Sequence, residues 1–390
     1  MPEAREYLKA IAVGGERSNS LETAASGGGS TDPAIRTGLT ERLDAEIGYI
    51  ARVTGMTADP GRRLEILRLA DSALAKLLGE GEAARLTPAD ISGLEAVVAT
   101  DGSRPVLFVK EDLPVLDHPA IGGYREMLSR MQEDVRVVCR SVGRVDDPDP
   151  AVEVGYHGTA WAIDEGVVVT NYHVLQAIAP QATRIGGRFE GRLKPGVAVN
   201  FGHEAGGQRP DRRFPIRRVL RVGSPAASAP TGPGLDFHAL DLAVLELEPV
   251  AGRPFPDPVT VARGDDPMTM GGLATKGRTV YVTGYPGDPT STTPNLMATL
   301  FNGVLSCKRL SPGVITDAPG ELSDDPRGWV MTHDASTLGG SSGSLVADLT
   351  VFGRTGLGLH FAGQHARRNW AHALERITRE LHGAIPVGSR

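Results

Sequence analysis

The run Gly339-Gly340-Ser341-Ser342-Gly343-Ser344, followed at once by Leu345-Val346-Ala347, constrains this chain more than any other segment. Glycines two before and one after Ser342 allow a tight backbone turn, and Leu345 onward reads as a buried strand. A flexible Gly/Ser linker such as Gly27-Gly28-Gly29-Ser30 would not run straight into a strand. A serine fixed on such a turn becomes a nucleophile only when a base takes its proton and a carboxylate orients that base. Candidates for both lie upstream. His173 closely follows the β-branched run Val167-Val168-Val169-Thr170, and Asp241 opens Leu242-Ala243-Val244-Leu245-Glu246-Leu247. Taken alone, His173 would be a core histidine and Asp241 a turn residue. With Ser342 they form the candidate catalytic set, and the N–H groups of Gly340 and Ser342 converge as a candidate oxyanion hole. Asp236 and His238 lack a following strand of equal quality and are read as loop residues.

The order His, Asp, Ser, spaced 68 and then 101 residues apart, resembles that of the trypsin-like, chymotrypsin-fold serine peptidases; subtilisin-like and α/β-hydrolase enzymes use other orders. Gly158-Thr159-Ala160-Trp161-Ala162-Ile163 stands where the family carries a Gly-Thr-Gly-Phe-like strand, departing from it at Ala160 and Trp161. Val280 to Gly287 resembles the opening strand of the family's second barrel. The resemblance covers about residues 135 to 385. It implies a mainly β fold of two antiparallel six-stranded β-barrels, about 135–255 and 275–365, with Pro249 to Gly272 as the crossing and a closing helix over Ala371 to Leu381. The segment 181–235 reads as a long excursion containing some strands.

Within that family the chain looks most like the bacterial glutamyl endopeptidases. Gly358-Leu359-His360-Phe361-Ala362-Gly363 resembles the strand walling the primary specificity pocket, where such enzymes place a histidine against a carboxylate; Thr337 matches the same pocket. The resemblance implies substrate binding by Thr337, His360, Phe361 and Gly363, with Phe361 to Gly363 adding the substrate as an antiparallel strand. His360 also fits a purely structural role. Ser336 stands where trypsins carry an acidic residue, which argues against Arg or Lys recognition, since a buried guanidinium needs a paired charge. Ser341 replaces the aspartate of the trypsin activation switch. The implied activity is serine endopeptidase; a catalytically silent protease-fold binding module is the alternative, and an esterase would share the triad.

With 390 residues the chain exceeds one ordinary domain, and its net charge of −6 gives no electrostatic case for nucleic acid. Arg212-Arg213 and Arg217-Arg218 are short pairs that read as solvated. Met1 to Gly15 mixes charges with short apolar patches rather than a secretory signal, and no run of about 20 apolar residues suggests a membrane span, so a cytoplasmic location is expected. The two cysteines, Cys139 and Cys307, are expected as buried free thiols. No Cys/His cluster has ligand spacing, so no metal or cofactor is expected.

The front third has a different pattern. Residues 1–35, rich in Gly, Ser, Thr and Ala, read as a flexible tail, and 36–134 as a mostly helical domain. Leu43, Ile47, Ile50 and Val53 share one helical face; Leu67, Leu74, Leu77 and Leu78 share another. Thr87-Pro88-Ala89-Asp90 reads as a helix start leading into Ile91, Leu94 and Val97, Pro105 to Lys110 as a strand, and Pro119 to Gln132 as a helix, with Val135 to Cys139 opening the first barrel. The helical domain is either a regulatory module docking a protein partner or a packing extension. The other expected partner is a protein or peptide substrate.

Overall fold

The computed structural model describes Ala4, Arg5, Tyr7, Leu8, Ile11 and residues 33–57, 59–99, 105–152, 155–180, 183–185, 188–223, 235–264, 272–286, 306–337, 340–351, 353–364 and 368–382. The chain divides into two compact units. One comprises the described residues up to Leu107 with Val115–Arg125; the other comprises Phe108–Pro114 and the described residues from Glu126 onward, apart from the segment 290–305.

The first unit contains α1 (Pro33–Thr54), α2 (Pro60–Glu80) and α3 (Pro88–Ala99). Leu39, Leu43, Ile47 and Ile50 of α1 are buried, as are Ile66, Ala70, Ala73, Leu74, Leu77 and Leu78 of α2. Asp59 caps α2 by accepting from the Arg62 amide at 2.8 Å. At the start of α3, Thr87 and Asp90 cap each other, the Asp90 amide reaching Thr87 Oγ1 and the Thr87 amide reaching Asp90 Oδ2. A Cβ at Gly93 would lie 2.8 Å from the Leu69 carbonyl oxygen, so α3 crosses α2 closely only because that residue is glycine. Buried Glu46 meets His118 Nε2 at 3.0 Å, which ties the segment after the hairpin to α1. Ala4, Tyr7, Leu8 and Ile11 are helical and buried where a flexible tail was expected.

The second unit holds both barrels. In the first, β1 (Val142–Asp146), β2 (Tyr156–Asp164), β3 (Val167–Thr170), β4 (Ala198–Asn200), β5 (Arg213–Val222) and β6 (Ala243–Leu247) close in the order β5-β6-β3-β2-β1-β4. Val145, Ala160, Val168, Val199, Phe201, Phe214 and Leu245 fill it. In the second, β7 (Thr279–Gly284), β8 (Arg309–Asp317), β9 (Val330–His333), β10 (Leu345–Asp348), β11 (Thr355–Gln364) and β12 (Arg368–Ala373) run in the order β7-β10-β11-β12-β9-β8, and β7–β8 pairing closes the ring. Val280, Val282, Ile315, Met331, Val346, Leu357 and Ala371 fill it. The fold is thus mainly β, with two closed six-stranded antiparallel barrels.

Two element boundaries differ from the sequence expectation. Val135 to Cys139 does not open a barrel: it belongs to α5 (Gln132–Ser141), which follows the short α4 (Tyr124–Arg130). Val135, Val138 and Cys139 are buried on one helical face, and the barrel begins at Val142. Ala371 is not in a closing helix but in β12, the sixth strand of the second barrel. The later helices are α6 (Tyr172–Ile178) in the first barrel and the single-turn α7 (Thr378–His382) at the end. The expected segment 181–235 does hold strands, among them β4 and β5.

The hairpin formed by Leu107–Lys110 and Leu113–Pro114 extends the second barrel's sheet beyond β8. Its turn puts two non-glycine residues at positive φ, Glu111 at 54° and Asp112 at 66°, as a two-residue turn of type I′ requires. Asp112 is buried and accepts from Arg209 Nη2 at 2.9 Å and Arg212 Nη1 at 2.6 Å, while its amide reaches Glu204 Oε2 at 3.0 Å. Lys308 is fully buried, its Nζ bonded to Glu204 Oε1 and to the carbonyls of Cys139 and Phe201. Burial alone would raise the Asp112 carboxyl, but the two guanidiniums hold it well below the usual carboxylate range. Cys139 and Cys307 are buried free thiols, and burial pushes Cys139 up to about 12.

Candidate active site

The end of β3 delivers Asn171 to the N-cap position of α6, so His173 sits in the first turn of that helix rather than on the strand itself. Buried Asn171 donates from Nδ2 to the Asp241 carbonyl at 2.9 Å. Asp241 is anchored between fully buried Leu240 and Leu242 at the start of β6. His173 Nδ1 lies 2.6 Å from Asp241 Oδ2, and the His173 amide donates to Asp241 Oδ1 at 3.0 Å. With Nδ1–H committed to the carboxylate, Nε2 is left as the basic edge of the ring. Burial works against the Asp241 charge, but the hydrogen bonds from His173 outweigh it and hold the carboxyl below its ordinary value.

Ser342 lies between β9 and β10 on a turn closed by the Ser344 amide donating to the Ser341 carbonyl at 2.9 Å. Gly340 and Gly343 take φ of 86° and 84°. A Cβ on Gly343 would fall 2.0 Å from the Thr159 carbonyl oxygen, so the turn closes on β2 only with glycine there. The Thr159 amide donates to the Ser342 carbonyl at 2.8 Å, and Thr170 Oγ1 donates to the Thr159 carbonyl at 2.7 Å. The serine turn is therefore pinned to the end of the strand pair that delivers His173. On its other side the Gly343 amide donates to the His360 carbonyl, and the His360 amide to the Ser344 carbonyl, each at 2.9 Å.

The expected pocket residues gather along β11. His360 is buried, with Nδ1 3.3 Å from His333 Nε2. Burial, helped by the nearby His173 charge, pushes its pKa down to about 3, so His360 is a neutral imidazole at ordinary pH. Thr337 donates its hydroxyl to Asn369 Oδ1, and Asn369 Nδ2 donates to the Ala335 carbonyl at 2.8 Å. A Cβ at Gly363 would come within 2.4 Å of Asn369 Oδ1 and 3.1 Å of Thr337 Oγ1, so these three residues share one corner. The Phe361 side chain is buried, its ring stacked on His372 with centroids 4.2 Å apart. β11 pairs with β10 only as far as Leu359 opposite Leu345 yet continues to Gln364 alongside β12, so among the described residues the edge of its far end that faces away from β12 has no strand beside it.

Residues 158–351 match the family described as "Trypsin-like peptidase domain". Over that stretch the chain is similar to the trypsin-like peptidases. Over 397 residues it is 28% identical to "Probable serine protease FE772_23060" of Lysobacter enzymogenes, covering 97% of this chain and 98% of that protein. Among solved structures, the active form of the Rv3671c protease from M. tuberculosis aligns at 21% identity and a TM-score of 0.37, over 66% of this chain and 85% of that one. The HtrA-type protease AlgW with a decapeptide aligns at 17% identity and a TM-score of 0.39, over 68% of each. A trypsin-like serine protease is a hydrolase acting on proteins or peptides. In the peptidase domain, the contributions of Asn171, His333, Asn369 and His372 were not visible in the sequence. Their partners in space lie tens to more than a hundred residues away, and only strand register unites them.

Proposed function

We propose that this protein is a serine endopeptidase in which Ser342 is the nucleophile, His173 the general base and Asp241 its orienting acid. The observation that carries this reading is the double contact of His173 with Asp241, by ring and by amide, beside a glycine-framed serine turn pinned to the same strands. Ser342 Oγ attacks the scissile carbonyl while His173 Nε2 takes its proton. The tetrahedral oxyanion is received by the N–H groups of Gly340 and Ser342. The protonated His173, stabilised by the Asp241 carboxylate, then hands the proton to the leaving amine, leaving an acyl-enzyme that water hydrolyses by the same route. The edge of β11 beyond Leu359 that faces away from β12 suits an extended peptide, which adds as a further strand along residues 361–363.

A preference for an acidic side chain before the scissile bond fits the corner formed by Thr337, His360 and Gly363. A neutral, buried His360 would meet a carboxylate as an N–H donor rather than as a cation, and a carboxylate bound there would in turn raise the imidazole's pKa. Labelling of the full chain with a fluorophosphonate tests the nucleophile: wild type should be modified and Ser342→Ala should not. Equal labelling of both chains would reject Ser342. Profiling of a peptide library then tests the pocket, with cleavage after Glu expected to dominate and dominant cleavage after Arg or Lys excluding the assignment.

A further inference from the structure

Asp241 is held on its backbone as well as on its side chain, and the second hold comes from the other barrel. Its amide donates to His372 Nε2 at 3.1 Å. His372 lies in β12, where it is opposite Leu359 of β11, and only 1% of it is exposed. Because Nε2 accepts this bond, the ring hydrogen sits on Nδ1, which is buried and meets no acceptor among the described residues. An apolar ring in that place would avoid leaving a buried N–H unsatisfied. It would also leave the Asp241 amide with no acceptor at its own contact. The opposite face of His372 carries Phe361, stacked at an interplanar angle of 14°.

We propose that His372 is a positioning residue for the triad: it fixes the Asp241 backbone from the second barrel, and through Phe361 it couples the substrate-bearing strand to the acid that orients His173. This rests on the triad reading given above. The residue touches neither substrate nor reacting atoms. Its effect reaches the chemistry through the direction in which Asp241 presents its carboxylate to the imidazole. Losing it therefore lowers the rate of acylation far more than it lowers substrate binding.

The test compares His372→Phe, which keeps the stacked ring and removes the acceptor, with His372→Gln, whose Oε1 sits at the end of a side chain long enough to replace Nε2. H372F is expected to lower kcat by about tenfold, the rate equivalent of one ordinary hydrogen bond, with KM moving less than about twofold. H372Q should recover most of that loss. Should H372F not fold, H372Q and His372→Met give the same contrast, being similar in length and differing in the acceptor. Equal kinetics for the variants with and without the acceptor would overturn the proposal. A readout independent of turnover is the far-downfield proton resonance of His173 Nδ1–H in the full chain, which should broaden or shift in H372F and return in H372Q. If Ser342→Ala leaves fluorophosphonate labelling unchanged, the triad reading fails. The link is then judged by that resonance alone: the same signal in all chains overturns it, and loss in H372F with return in H372Q supports it.

Discussion

Burial pushes His360, His372 and His203 from 6.5 down to about 3, about 4 and about 4. An unfolded chain protonates all three near pH 6.5, whereas the native state refuses the proton until far lower. Stability is therefore intact above pH 6.5 and declines as the pH falls towards 4, by up to about 1.4 kcal/mol per pH unit for each histidine. Urea midpoints measured against pH should be level above about pH 7 and fall between about pH 6.5 and 4.5, before most carboxylates titrate; a midpoint level down to about pH 5 would contradict the assignment. The sequence showed some of these residue-level features and hid others. Ser342 was legible because glycines frame it and a strand follows, and His173 and Asp241 because each adjoins an apolar run. His372 had no such signal. It is one of ten histidines, and its role comes from a contact with an amide 131 residues away.

At the level of elements, the barrel strands were legible wherever β-branched residues ran together, as in Val167 to Thr170. Misreadings arose where one pattern fits two periods. Val135, Val138 and Cys139 suit a helical face, yet in sequence they crowd into an apolar run that looks like a strand. Ala371 and Ala373 alternate into the second barrel's core as a strand, while Ala371, Leu374, Ile377 and Leu381 mimic helical spacing. Pro105 to Lys110 reads in sequence only as a strand of the helical front, because nothing local reveals the hairpin to Pro114 or that its partner is β8. Its fully buried Phe108 and Val109 should together contribute about 3–6 kcal/mol, apart from the charges that Asp112 keeps paired. A chain beginning at residue 105 should therefore unfold cooperatively by calorimetry, and one beginning at residue 116 should melt at a clearly lower temperature. Equal melting of the two would show that the hairpin adds nothing to the barrels.

For the whole molecule, a boundary drawn at residue 134 cuts through what the structure keeps together, since Phe108–Pro114 belongs with the barrels while Val115–Arg125 belongs with the helices. The similarity to the Lysobacter protein likewise runs through helical front and peptidase domain alike. The hairpin's place in the second barrel's sheet bears on biosynthesis. On the ribosome it emerges first, whereas Lys308 and β8, which it needs as partners, appear roughly two hundred residues later. Until then the Val109 amide has no Lys308 carbonyl to meet, and the second barrel has no closed ring. Strand pairing between segments so far apart in sequence is slow, and for about a hundred residues of synthesis the nascent chain has His173 and Asp241 already made and Ser342 still to come. On the reading proposed above, proteolytic competence can then arise only after the second barrel's last strands have been made, a delay written into the order of the strands.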